Sequence, residues 1–402
     1  MKDPPSPHPS LRSGRDPEGG PFHHLVSPPL RALVWTAATV ALLLVAALLW
    51  RGSDAAATES TTAPPADVPS GTPAGAVSEA WSADGGPLPE VVVAGGRVLV
   101  GSEHGVRALD PVTGEEAWHY TRSNARMCGL TAADGVAVAV FTTEDRCDEA
   151  VALRAATGVR AWTRSLSLAG DAVLDSTTSI VLASNPTGVL TLDPRGNNVR
   201  WRYAPPESCR LLGADAGSTG VVVLQRCADD TRVQVRLLDG FAGSPNWSRD
   251  LPAAESDAVR LLGADGAVTV LVGDEVQTLA GPDGAELART PVPEGADVQQ
   301  STVGAVSLLR VGGTVTALAT ASGTRLWEAP GTGLPVATAA PKDPTRPVPL
   351  VLPDAGGFSF RDPVTGAESA RSAVDGLPPE GSASVVGPVV LLRLDDRVLA
   401  YD

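Results

Sequence analysis

Between Val98 and Trp118 the chain reads VLVGSEHGVRALDPVTGEEAW, with its apolar residues in short runs broken by turn residues. Val98 and Val100, then Val106, Ala108 and Leu109, approach the alternation of half-buried strands; Gly101 to Gly105 and Asp110-Pro111-Val112-Thr113-Gly114 interrupt them. The pattern predicts strand, turn, strand, turn, strand. Pro111 presets φ, the Asp110 carboxylate and Thr113 hydroxyl bond nearby amides, and Gly114 restarts the chain outward.

The same pattern recurs along the chain, marked by a turn glycine and a tryptophan four or five residues later. Gly114 precedes Trp118, Gly158 precedes Trp162, Gly196 precedes Trp201, Gly243 precedes Trp247 and Gly323 precedes Trp327. At Gly284 and Gly366 the matching positions hold Ala288 and Ala370. The spacing of 38 to 47 residues is that of a four-stranded propeller blade. RLLGAD occurs at Arg210–Asp215 and again at Arg260–Asp265, and DPVTG at Asp110 and Asp362, as internal duplication would leave them. Seven turns are visible, and the two ends supply an eighth unit. Val77 to Gly85 holds a lone fourth strand with Trp81, and Ser384 to Asp402 holds three strands with no fourth. Joining them removes an open sheet edge. The expected fold is all-β, an eight-bladed β-propeller over residues 77–402 whose last blade is closed by strands from both termini.

Ahead of this array the pattern changes twice. Ala32 to Trp50 has 19 residues without a charge, and residues 31–51 are expected to form a transmembrane helix with Trp35 and Trp50 near its ends. Lys2, Arg12, Arg15 and Arg31 precede it and only Arg51 follows closely, so the positive-inside rule places the N-terminus in the cytoplasm and the propeller outside the plasma membrane. The run is longer than a usual signal-peptide core and 30 residues precede it, which favours an anchor over cleavage near Ala55-Ala56-Ala57. Residues 1–30, rich in Pro, Ser and Gly, are expected to be a disordered tail. His8, His23 and His24 within it lack metal-ligand spacing. Residues 52–76, nearly all small or Pro, are expected to be a mobile spacer.

Composition narrows the function. The first 51 residues carry five Lys/Arg and three Asp/Glu, leaving 26 basic against 43 acidic groups in the remainder, which disfavours nucleic acid. The only lysines are Lys2 and Lys342, so no P-loop exists. There is no nucleophile elbow, no HExxH and no calcium loop. Asp229-Asp230, Asp274-Glu275 and Asp395-Asp396 are adjacent acids, best read as solvated turns because neighbours on a strand face opposite ways. Four cysteines allow three pairings; their equivalent places in blades two and four favour Cys128–Cys147 and Cys209–Cys227, with Cys147 just beyond the second strand. His104 and His119 are not at zinc-ligand spacing, and Asn246-Trp247-Ser248 matches a glycosylation sequon by coincidence with the repeat. Arg210 and Arg260, on innermost strands, are expected to line the channel as a possible anion contact.

VRALDPVTGEEAW resembles the repeat of the quinoprotein (pyrroloquinoline quinone, PQQ) dehydrogenase family and of the outer-membrane assembly scaffold that shares it. The resemblance covers residues 77–402. It implies that Trp81, Trp118, Trp162, Trp201, Trp247 and Trp327 dock between adjacent blades. It also raises a PQQ-dependent dehydrogenase as the alternative function, with the cofactor held over the channel beside calcium. The family's enzymes have adjacent, disulfide-linked cysteines and long insertions; this chain has no Cys-Cys and compact repeats. The expected function is therefore non-catalytic: a membrane-anchored, monomeric, extracytoplasmic module for an unidentified protein or cell-envelope ligand, without cofactor or metal.

Overall fold

The computed structural model describes residues 30–143, 146–168, 172–228, 231–337 and 350–402. The cytoplasmic tail expected over residues 1–30 falls, apart from Leu30, outside them, as do Asp229-Asp230 and Lys342. Leu30–Arg51 is a single 22-residue helix, long and apolar enough to cross a membrane. At 1.5 Å per residue it extends about 33 Å, and its continuous Leu, Val and Ala surface suits hydrocarbon on every side. Residues 54–402 form a separate unit.

That unit is an eight-bladed propeller. Blade one contains Val93–Ala94, Arg97–Ser102, Gly105–Leu109 and Glu116–Arg122. Blades two to six repeat the order, beginning with innermost strands Met127–Ala133, Val173–Ser176, Cys209–Gly217, Val259–Gly263 and Val298–Val303. In blade eight Ser382–Val386, Val389–Arg393 and Arg397–Tyr401 are completed by Glu79–Asp84, paired from Glu79 opposite Tyr401 to Asp84 opposite Arg397. The terminal strands thus close the ring. Among the described residues blade seven has three strands, and Leu334–Pro335, near its inner side, pairs in parallel with Ser382 and Ala383 of blade eight.

Strands in the middle of a blade are covered on both faces by neighbouring blades, so they carry continuous apolar runs: every residue of Val181–Asn185 and Gly188–Leu192 is buried. Outer strands alternate, as in Glu116–Arg122, where Trp118, Tyr120 and Arg122 are buried.

At the rim each tryptophan docks on the turn of the next blade. The indole N–H of Trp81 donates to Pro111 O (3.2 Å), Trp118 to Ala155 O (2.8 Å), Trp162 to Pro194 O (2.8 Å), Trp201 to Gly240 O (3.0 Å), Trp247 to Gly281 O (2.7 Å) and Trp327 to Pro363 O (2.8 Å). The turn glycine is selected by that contact as well as by its backbone: Gly243 has φ 69°, and a Cβ there would lie 2.6 Å from the Trp201 ring. In blade three the left-handed residue is Asn197 (φ 51°), not Gly196, which restores a four-residue interval to Trp201. Asn tolerates this conformation better than other non-glycine residues. Where tryptophan is replaced by Ala288, it is Leu287 that packs beneath Gly323.

The cysteines form two disulfides. Cys209 and Cys227 are register partners on the first hairpin of blade four. Cys128–Cys147 joins the first strand of blade two to the start of its third, Arg146–Arg154, since Cys147 lies just beyond the second strand, Val136–Thr143.

Residues 54–76 are not a free spacer. Thr58–Ser60 adds a fifth strand to blade one, antiparallel to Tyr120–Arg122. Asp54 pairs with the buried Arg122 (2.8 Å), which also holds Glu149. Thr61 N donates to His119 O (2.9 Å) and Ala63 N to Thr157 O (3.0 Å); beyond Ala66, which lies against Gly96, Pro69 covers Gly387 and Gly75 O accepts from Ala373 N (3.0 Å). Small side chains and proline allow this backbone to lie flat on the hairpin turns; a Cβ on Gly387 would come within 2.7 Å of Pro69 O. Composition alone reads the segment as mobile, whereas the unpaired edge of blade one supplies the partners that order it. It crosses the face of the ring on which the innermost strands of blades one and eight end.

Candidate functional site: the central channel

The duplicated hexapeptide places an arginine near the start of an innermost strand and an aspartate near its end. Arg260 sits on the wall of a cavity of about 200 Å³, its guanidinium donating to Val298 O (2.9 Å). Arg210 is exposed, opposite Arg226 in register, and does not line that cavity. The aspartates matter more. Asp215 of blade four meets Asp175 of blade three, and both Asp265 of blade five and Glu90, just ahead of blade one, act on Asp215 or its neighbours.

Burial within the ring pushes the Asp175 carboxyl well above the usual carboxylate range, and the charge and hydrogen bond of Asp215 push it further. Asp215 is raised too, first by burial, while its hydrogen bond from Asp175 acts in the opposite direction. The pair therefore resists full ionisation, and Asp175 Oδ2 accepts from Ala216 N (2.6 Å). Glu90 is raised from 4.5 to about 7 by burial, then by Asp215 and Asp265, with Arg393 opposing. Its surface is open to solvent, so its enclosure is that of a water-accessible channel ringed by protein.

Neither Glu90 nor Asp175 stands out in the sequence; only ring closure brings them together. Asp215 and Asp265 were present in RLLGAD, at the end opposite the arginines. The concentration of carboxylates works against the expected anion contact at Arg210 and Arg260. The remaining acidic pairs are at the periphery: Glu275 is ion-paired with Arg289 (2.9 Å) and Asp396 with Arg397 (3.4 Å). Asn246 is exposed beside the docked Trp247. Among the described residues no group of three His, Cys, Asp or Glu side chains is disposed to hold a metal ion.

Residues 47–233 match the family model described as outer membrane protein assembly factor BamB. That match spans just under half of the chain and, with the eight-bladed fold, supports a propeller built from PQQ-like repeats. No curated protein sequence matches it. Among solved structures it is similar to the computationally designed Ika8 protein, at 16% identity and a TM-score of 0.53, over 80% of this chain and 99% of that one. BamB from Moraxella catarrhalis is also similar, at 16% identity and a TM-score of 0.47, over 81% of this chain and 99% of that one. The quinohemoprotein alcohol dehydrogenase ADHIIG from Pseudomonas putida HK5 gives 12% identity and a TM-score of 0.45, over 81% of this chain and 76% of that one.

The channel does not fit PQQ. That cofactor is a rigid tricarboxylate, and here Glu90, Asp175, Asp215 and Asp265 already crowd the channel. A cavity of about 200 Å³ also falls below the roughly 300–1,000 Å³ usual for sites of that ligand size.

Proposed function

We propose that the protein is a membrane-anchored, extracytoplasmic propeller that works as a non-catalytic binding module or scaffold for a protein or cell-envelope ligand. The observation that carries this reading is the order of parts: a span-length apolar helix followed by a ring closed on itself. The repeat's tryptophans and turns are engaged in joining blades, so recognition falls to loops and the channel. The scaffold named by the matching family model lends support, as does the misfit between PQQ and the carboxylate-lined channel.

Protease added to intact cells tests the orientation: the propeller should be digested and the N-terminal tail protected, and a protected propeller would sink the anchor-and-outside reading. Crosslinking the full-length chain in its native membrane should capture a partner. Stoichiometric retention of added PQQ and calcium through gel filtration, with dye-linked turnover, would overturn the non-catalytic assignment in favour of a dehydrogenase.

A further inference from the structure

The outer edge of a blade leaves amides and carbonyls ready to pair with another chain. Among the described residues blade one alone has its outermost strand, Glu116–Arg122, paired to a further one. That partner is the chain's own: Thr58, Glu59 and Ser60 stand opposite Arg122, Thr121 and Tyr120. Ser123 N donates to Ala57 O (2.9 Å) and Thr61 N to His119 O (2.9 Å), extending the ladder at both ends. Side chains add little cohesion, because no residue from 54 to 76 is buried.

Besides backbone bonds the segment supplies charge. The single helical turn Asp54–Ala57 brings Asp54 beside Arg122 Nη2 (2.8 Å), where its Oδ1 also accepts from Asn124 Nδ2 (2.7 Å). Arg122 is buried and its Nε has no hydrogen-bond partner among the described residues, so a carboxylate here compensates a guanidinium shut away from water. Glu59 Oε1 lies 4.0 Å from His119 Nε2 and walls a cavity of about 290 Å³ that Arg107 and Thr121 also line. The ring itself does not depend on these contacts. Glu149 still holds Arg122, Glu116 still holds His119 Nδ1 (2.6 Å), and blades two to six stand as four strands without a fifth. A segment held by exposed backbone bonds and few apolar contacts opens locally, well below the stability of the core. Its departure leaves a formed strand edge with a buried cation at one end.

We propose that the outer edge of blade one is a docking site for an acidic strand of a partner protein, and that residues 54–63 occupy it in cis until that strand displaces them. The proposal rests on the binding-module reading and names the partner's chemistry. The incoming strand pairs antiparallel with Glu116–Arg122; its backbone bonds supply affinity, and a carboxylate reaching Arg122 supplies specificity. Tethering gives the internal segment an effective concentration on the order of millimolar, so a partner must bind more tightly than residues 54–63 alone would.

The test uses the full-length protein in nanodiscs and a fluorescein-labelled peptide with the sequence of residues 54–63, followed by anisotropy. In the wild type the edge is filled. Asp54→Asn with Thr61→Pro removes the carboxylate at Arg122 and the Thr61 N–H, so this double variant should bind the peptide about tenfold or more tighter than wild type does. On the double variant, the Asp54→Asn peptide should bind about tenfold more weakly than the native one, which tests the contact without altering the protein. Hydrogen exchange in the wild type should show the Thr61 and Ser123 amides opening while the ring stays closed. Equal peptide affinity in the two proteins, equal affinity for the two peptides, or exchange of those amides only on global unfolding would overturn the site. A partner crosslinked in native membranes equally by wild type and double variant would also overturn it, leaving the binding-module reading intact; capture by neither would overturn both.

Discussion

Asp362 at the rim and Asp175 in the channel are the same side chain in the same ring of blades, yet their surroundings drive them in opposite directions. Asp362 accepts from Val364 N (3.0 Å), Thr365 N (2.7 Å) and the Thr365 hydroxyl (2.9 Å), which hold its pKa down. Asp193 is held down likewise, first by Gly196 N and also by Arg195 N and the charge of Arg200. Asp175 is enclosed beside Asp215 and is held up by burial and by the neighbouring charge. At the rim, most repeats meet a similar turn and tryptophan, and donors are supplied locally. In the channel, acidic residues from blades three, four and five and from the segment ahead of blade one converge. The rim is therefore optimised for cohesion, whereas the channel keeps polar groups that cohesion does not require.

The largest expected effects come from breaking the rim. Trp118→Ala removes a fully buried indole and its bond to Ala155 O, and should destabilise by about 3–5 kcal/mol in chemical denaturation. Gly243→Ala combines an unfavourable left-handed backbone with a collision against Trp201, and about 2–4 kcal/mol is expected. A loss below 1 kcal/mol would show that the turn yields to the ring. Asp362→Ala, on a solvated turn, should cost only about 1 kcal/mol.

Channel substitutions should show the opposite sign. Glu90→Gln and Asp175→Asn replace groups that resist ionisation with neutral ones, so melting temperatures at pH 8 should hold or rise. A clear fall for both would place these carboxyls in the cohesive part of the structure.

The smallest and most diagnostic effect is the pH profile. A raised carboxyl contributes stability at low pH that is lost as pH rises from its unfolded value of about 4. For Glu90 the loss is complete above about 7. The depressed Asp193 and Asp362 contribute above about 4 and lose their stabilisation as pH falls through their folded values. Stability measured between pH 5 and 8 should therefore decline in the wild type, and the decline should be shallower in E90Q. An identical slope in the two proteins would assign the decline to other groups.

The repeat itself was legible because its signals are local. An Asp-Pro-Val-Thr-Gly turn and a tryptophan four residues after the turn are dictated by hydrogen bonds and steric limits within a few residues, and the terminal remnants around Trp81 and Tyr401 announced the eighth blade by what each lacked. The hairpin of Cys209 and Cys227 was readable for the same reason, since its symmetric register follows from one turn. Cys147 falls just beyond the second strand of blade two, and the turn to the third strand brings it back beside Cys128.

Tertiary structure decided the rest. A segment of Ala, Thr and Pro carries no periodic signal, and residues 54–76 became ordered only because blade one offered an edge and Gly387 a flat surface. The channel was hidden for a related reason: Glu90, Asp175, Asp215 and Asp265 are far apart in sequence, and nothing local distinguishes them from solvated acids. Local chemistry determined the blades and their closure; the mutual influence of Asp175, Asp215 and Glu90 exists only because the closed ring sets these carboxyls close together.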